Sequence, residues 1–350
     1  MHASAKEGSC LRELIDLAIP LCQQAEERCP RTGPGRPPVT PDWVLTVLIL
    51  ISVLKHRKSK RAQYRYLRSH RHEILAALGV RCWPGRSTYF ARYRRAWKLY
   101  EVAIQITGEL AVSRNLTRAR CVAVDQSVMN ARGGKWNRRG RVPKGVDAEA
   151  TWAYSSLHDW TFGYSFEVVV TAEKTGAVWP LLASADPASA QPGATFPDKI
   201  SRLLPTTRYV LADSAYDSND LADAVEYGLD NRRTGRRLLC PYPKRRRGTT
   251  TGAHKETRKR QQRRLRRRAR YQFFKRRFAQ RLFRRRAAKV EPFNDWLKTR
   301  FDLHDRVWHY GLDNNRTQIL AAIFAYQLLL LYNHAQGNSN GQIQWILDTL

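Results

Sequence analysis

The chain has 350 residues, 43% of them hydrophobic, enough for about two domains with real cores, which excludes global disorder. Against 30 acidic residues stand 62 Lys and Arg, a formal net charge of +32, and an excess of that size points to a polyanionic partner, with nucleic acid first. The longest apolar runs, Leu45 to Leu54 and Ile319 to Tyr332, are shorter than the ~20 residues a membrane helix needs. The first residues lack the pattern of a secretory signal, so the expectation is no membrane and a cytoplasmic, nucleoid-associated location. Six cysteines without a C-x-x-C pair argue against disulfides and structural zinc, and read as ordinary thiols.

In chain order, residues 9–29 read as a helix, and the Pro- and Gly-rich stretch 31–41 as a linker. Pro41-Asp42 opens an apolar helix to about Lys55, Gln63 to Leu78 reads as an amphipathic helix, and Ser87 can cap another through Thr107. Residues 1–115 thus form an all-helical domain. Its basic cluster from His56 to Tyr66 suits either a helix against a DNA groove or a packing or dimerisation role.

After Arg118 the period changes. Cys121 to Val128, Thr161 to Ala172 and Val178 to Ala185 read as strands, with Glu173-Lys-Thr-Gly as a hairpin turn between the last two. A helix over Pro197 to Leu204 leads to a strand, Arg208 to Leu211. Asp217-Ser-Asn-Asp then caps a helix over Leu221 to Gly228, and Arg237 to Cys240 offers a fifth strand. The alternation describes an α/β layer over 116–243.

From Lys244 to Lys289 there are 22 Lys or Arg and one acid, Glu256. Burying so many unpaired cations would cost several kcal/mol each, so this segment (244–285) lies on solvent or phosphate. Leu265, Tyr271, Phe273, Phe274, Phe278, Leu282 and Phe283 interleave at three- and four-residue steps, which predicts an amphipathic helix with one face packed and the other on phosphate. Arg263, Arg264, Arg266, Arg267 and Arg268 within it, and Arg284, Arg285, Arg286 and Lys298 at or beyond its end, are the expected DNA contacts. Residues 286–350 are read as helices completing the core.

Two carboxylates stand out. Asp125 interrupts an apolar strand, and Asp213 sits where a strand runs out into a loop. Singly, each could be a turn former or a solvated side chain. Together, on neighbouring strand ends of an α/β sheet, they can hold Mg²⁺ or Mn²⁺ through oxygen. Glu291 is the candidate third ligand, with Lys298 seven residues on and on the same helix face.

Val122-Ala-Val-Asp-Gln-Ser, Tyr209-Val-Leu-Ala-Asp-Ser-Ala-Tyr-Asp-Ser and Lys289-Val-Glu-Pro-Phe-Asn-Asp-Trp-Leu-Lys together resemble the bacterial insertion-sequence DDE transposases. Arg86-Ser-Thr-Tyr-Phe and the closing Tyr310-Gly-Leu-Asp-Asn-Asn-Arg-Thr are similar to elements of the same family. The resemblance covers about residues 86–335. It implies an RNase H-like mixed sheet flanked by helices, with Asp125, Asp213 and Glu291 as catalytic, metal-binding triad for two Mg²⁺ (or Mn²⁺) ions. It also implies cleavage and strand transfer of double-stranded DNA at inverted-repeat ends and target sites, by a homodimer at least.

The sequence departs from the family's third motif, Tyr-x2-Arg-x3-Glu-x6-Lys, by carrying Arg284 and Ala287 at the Tyr and Arg places. On a continuous helix Arg284 shares the face of Glu291 and could reach phosphate. Pro292 implies a helix that kinks or starts there, and a break would make Asp295 a rival ligand. His158 and His304 are read as structural. Tyr216 and Trp160 are read as core residues, with stacking on an unpaired base as the alternative. A nuclease without strand transfer, an inactive DNA-binding relic and an RNA-binding role remain as other readings.

Overall fold

The computed structural model describes residues 2–30, 38–155, 159–191, 195–228, 232–241 and 258–350. Helices α1 (His2–Arg28), α2 (Asp42–Leu54), α3 (Lys60–Ser69), α4 (Arg71–Leu78), α5 (Arg86–Tyr93) and α6 (Trp97–Ser113) come first. Helix α2 is buried from Val44 to Leu54, as a helix apolar all round must be. The single helix expected over Gln63 to Leu78 is broken at His70. Its backbone leaves helical geometry (φ −106°, ψ 19°), and its Nδ1 lies 2.9 Å from Tyr66 O, a local side-chain bond that competes with the helix ladder. Likewise the helix expected from Ser87 starts at Arg86 with Gly85 as N-cap, and is interrupted between Tyr93 and Trp97.

The sheet follows: β1 (Cys121–Asn130), β2 (Thr151–Ser155), β3 (Asp159–Thr171) and β4 (Pro180–Pro187), then α7 (Phe196–Ile200), β5 (Tyr209–Leu211), α8 (Asn219–Tyr227) and β6 (Arg237–Leu239). The strand order is β2-β3-β1-β5-β6, with β4 also on β3. β1 is antiparallel to β3 and parallel to β5, and β5 is parallel to β6. This is the mixed sheet flanked by helices that the resemblance implies. β2 is an element the sequence reading lacked. β3 is long enough to pair β2 with its first residues and β4 with the rest. Gly163 permits β3 to cross β1 closely, since a Cβ there would stand 1.9 Å from Met129 O.

Side chains alternate between two cores. On β1 and β3, Ala123, Met129, Phe162, Phe166, Val168 and Val170 face a large cluster shared with the N-terminal helices. Val122, Val124 and Val169 face a smaller one under α7 and α8. The chain closes with α9 (Arg258–Phe274), α10 (Arg277–Phe283), α11 (Arg285–Arg300), α12 (Leu312–Ala335) and α13 (Gln344–Thr349). Among the described residues α12 alone is long and apolar enough to cross a membrane, and it is buried at the centre of the larger core. The motif before α12 is a staple. Asn315 Nδ2 donates to His309 O and Gly311 O, both at 3.0 Å. Thr317 Oγ1 donates to Tyr93 O at 2.7 Å, and Arg316 Nη2 lies 2.9 Å from Asp186 Oδ1. One segment thereby ties α5 and β4 to the start of α12.

Candidate active site

Parallel register puts the two strand carboxylates abreast. Ala123 pairs with Leu211. Two residues further on in each chain Asp125 and Asp213 keep the same face, because side chains alternate with period two. That face is the one carrying Ala123 and Leu211 in the larger core. Beyond Leu211 the chain stays extended, with Ala212 N donating to Leu239 O at 3.1 Å and Asp213 at φ −75°, ψ −179°. Asp213 Oδ1 then accepts from Ala215 N at 2.9 Å and caps a short 3-10 turn, Ser214–Tyr216.

Asp125 is held by α11. Arg286 Nη1 donates to its Oδ1 at 2.9 Å, and Asn294 Nδ2 to its Oδ2 at 3.0 Å. Arg286 and Asn294 are eight residues apart, about two turns, and so share a face. One turn further, Lys298 Nζ donates to Val128 O at 2.8 Å, so this stripe of α11 runs along β1. Burial pushes the Asp125 carboxyl up to about 6; the Arg286 guanidinium opposes the rise, and the charge of Asp213 adds to it. Burial also brings the Lys298 ammonium down to about 8, against the pull of Asp125 and Asp295.

Glu291 lies on the same helix, exposed, one turn before Asn294, and no hydrogen bond or ion pair joins it to Asp125 or Asp213 among the described residues. Pro292 neither starts nor ends the helix: α11 begins at Arg285 and continues to Arg300 with Pro292 inside it. The proline lacks only the one amide that would have bonded a turn back. Of the two alternatives for Pro292, a kink or a helix start, the start is therefore excluded. Asp295 is exposed too. Arg284 stands between α10 and α11, where the helix is interrupted, so the continuous helix assumed for it is not found. Asn294, which touches Asp125, went unnoticed in the sequence. Its only signal was a polar residue four before Lys298 on a face otherwise kept by Val290 and Leu297.

Behind Asp213, on the opposite face of the sheet, Glu167 and Lys199 form a buried ion pair at 2.9 Å. Glu167 also accepts from Thr195 Oγ1 (2.8 Å) and from Tyr216 Oη (2.9 Å). Tyr216 is thus a core residue that fixes the turn carrying Asp213. His304 is exposed; His158 lies outside the described residues. All six cysteines are free.

The described part of the basic segment is helical, and α9 also packs through its charges. Arg263 Nη2 lies 2.6 Å from Asp220 Oδ1, Arg266 Nη1 3.4 Å from Asp223 Oδ1, and Arg267 Nη2 2.5 Å from Asp217 Oδ2, with Arg270 Nη2 bonded to Asn219 at 3.0 Å. Tyr271 Oη adds a 2.9 Å bond to Asp217. Of the residues expected on the packed face, Phe273, Phe274 and Leu282 do pack on the larger core, whereas Leu265 and Phe278 are exposed. Arg264 and Arg268 are exposed, Arg285 reaches Glu173 at 3.9 Å, and Lys298 is buried. The start of the segment, from Lys244, lies outside the described residues.

A divalent cation suits these donors. The charge of Asp213 adds to the cost of ionising Asp125, which a bound cation would relieve. Asn294 Oδ1 is a buried oxygen with no hydrogen-bond partner among the described residues. Yet among the described residues no group of three His, Cys, Asp or Glu gathers as ligands there.

Paired carboxylates at the ends of adjacent parallel strands, gripped by a closing helix, define a class of α/β proteins whose sheet edge suits a hard cation. Within it, this chain belongs to the family described as Transposase DDE domain, whose model matches residues 117–328. It is a DNA transposase. Among solved structures it is similar to the piggyBac transposase in a synaptic complex with hairpin DNA, at 9% identity over 97% of this chain and 78% of that one, with a TM-score of 0.41. No curated protein matches the chain.

Proposed function

We propose that the chain cuts DNA at the inverted-repeat ends of its own bacterial insertion sequence and joins the freed ends to target DNA. Asp125, Asp213 and Glu291 hold two divalent cations, Mg²⁺ or Mn²⁺, for both steps. The observation that carries this reading is the parallel register that stands Asp125 beside Asp213. When bound, such cations lower the pKa of an attacking water or 3′-hydroxyl and stabilise the leaving oxygen.

The rest falls to the chain's own residues. Asn294 holds the Asp125 carboxylate in one orientation before substrate arrives, which limits reorganisation during reaction, and Arg286 balances its charge until a cation takes that oxygen. Lys298 pins α11 to β1. The exposed arginines Arg264 and Arg268 meet the phosphate backbone, where such contacts position DNA without reading its sequence. Two ends must be brought together, so the working unit is a homodimer at least, acting at the nucleoid.

A strand-transfer assay tests the proposal. A donor duplex with a free 3′-hydroxyl, taken from the element's own ends, is incubated with a supercoiled plasmid and Mn²⁺. Joined product from the parent and none from Glu291→Gln supports it. Cleavage without any joining would reduce the protein to a nuclease, and normal joining by Glu291→Gln would remove Glu291 from the set.

A further inference from the structure

The β2–β3 hairpin carries two pairs of aromatic residues, one above the other. Trp152 pairs with Phe162, and Tyr154 with Trp160. The inner rings, 5.3 Å apart, pack on the larger core. The outer rings, 5.6 Å apart and edge to face, do not: Tyr154 is 63% exposed and Trp160 62%. Leaving a Trp and a Tyr side by side in water forgoes the burial that holds the inner pair.

Their direction is fixed by register. Val168 stands opposite Asp125, and Trp160 is an even number of residues from Val168, hence on the same face of the sheet. Eight residues of strand separate them, a reach of ~27 Å. The outer pair therefore projects from the face that carries Asp125 and Asp213, well past them.

The loop beside β2 is charged to match. Between Ala131 and Ala150 it holds six Lys or Arg and two acids. Both acids are engaged internally: Asp147 accepts from Tyr164 Oη at 2.7 Å and Gly311 N at 2.9 Å, and Glu149 from Leu312 N. Lys135, Arg139, Arg141 and Lys144 are exposed. The loop is tied to β2 where Trp152 Nε1 donates to Trp136 O at 2.8 Å and Arg138 Nη2 to Ala150 O at 3.1 Å.

We infer that the β2–β3 hairpin is a DNA-binding arm, on which Tyr154 and Trp160 stack against bases of the bound duplex while the cations of the adjoining loop hold its phosphates. Cationic surface with interleaved exposed aromatics fits nucleic acid rather than a protein partner. At 3.4 Å per nucleotide, ~27 Å places the contact roughly eight steps from the phosphate at Asp125. The inference rests on the proposed DNA chemistry for that distance alone; the stacking itself needs no cleavage.

The test uses the full chain and a short duplex labelled with aminopurine, whose emission reports unstacking, followed together with anisotropy over a range of salt. The parent is expected to change the emission. Tyr154→Ala with Trp160→Ala is expected to abolish that change and weaken binding by roughly 30-fold or more, from ~1–3 kcal/mol for each of the two stacked bases. The slope against salt stays the same, because no phosphate contact is lost. Tyr154→Phe with Trp160→Phe should restore most of both readouts, which a misfolded variant could not do. Unchanged affinity and emission in the alanine variant would overturn the inference. So would a change of oligomeric state in the alanine variant without DNA, which would make the rings a contact between copies. Asp125→Asn separates the two proposals: emission that still changes while cleavage is lost leaves the arm standing and tests only the chemistry.

Discussion

Arg286 Nη1 lies 2.9 Å from Asp125 Oδ1, and each side chain is 15% exposed. The guanidinium partly offsets the burial that raises the carboxyl, so it stabilises a strand carboxylate that would otherwise be costly to ionise. It also occupies an oxygen that a cation needs. Arg286→Gln should lower stability without divalent ions by about 1–3 kcal/mol. In Mn²⁺ the variant should regain most of that loss, with half-maximal stabilisation at a lower concentration than the parent needs. Thermal melts over a Mn²⁺ titration measure both; a variant that Mn²⁺ does not rescue would show that the arginine is structural alone.

Asn294 grips the other oxygen of Asp125. Groups that orient a metal-binding side chain usually matter by roughly 10- to 100-fold. Asn294→Ala is expected to cut the cleavage rate by that factor, with Asn294→Gln recovering little, since its longer side chain cannot hold the same geometry. Single-turnover nicking kinetics at saturating DNA check this, and a parent-like rate in Asn294→Ala would refute it.

Lys298 is 8% exposed, and burial brings its ammonium down from the ordinary 10.5 to about 8. The unfolded chain then binds more protons between those limits, so stability rises with pH from about 8 to about 10.5 by on the order of 3 kcal/mol. Lys298→Met should flatten the rise. Urea unfolding at pH values across that window measures it, and an identical slope in the variant would assign the effect to another group.

Glu167 and Lys199, both 3% exposed at the side chain, hold the turn carrying Asp213 through Tyr216. Lys199→Met leaves a buried carboxylate uncompensated, for which a loss of about 3–5 kcal/mol is expected. Adding Glu167→Gln should recover part of it, because the neutral amide still accepts from Tyr216. Urea denaturation of the two variants compares them; equal stability would mean that the charge is not the cause.

The strands and the two aspartates were legible because strand period and an acid in an apolar run are local signals. Asp125 stood out against Val122 and Val124, and Asp213 against Val210 and Leu211. What stayed hidden depended on register and on partners far along the chain. Asn294 looks like any polar helix residue until α11 is laid along β1. The arginines of α9 read as DNA contacts because the acids that bind several of them, Asp217, Asp220 and Asp223, lie more than forty residues earlier. β2 is five residues long, too short to stand out after a loop of Gly, Arg and Lys. Trp160 reads as core on its chemistry, while the structure leaves it in solvent. The pairing of Glu291 with Lys298 by spacing was correct as helix arithmetic, but Lys298 is buried on β1 and Glu291 is exposed.

The most direct measurement is Mn²⁺-dependent nicking of DNA by the parent, Asp125→Asn, Asp213→Asn and the double variant, all at equal folded fraction. Residues that act as one unit are non-additive. Each single variant should therefore fall by roughly a thousandfold or more, with the double variant no worse than either. If either single variant nicked at the parent's rate, Asp125 and Asp213 could not be sharing the cations that cut the strand.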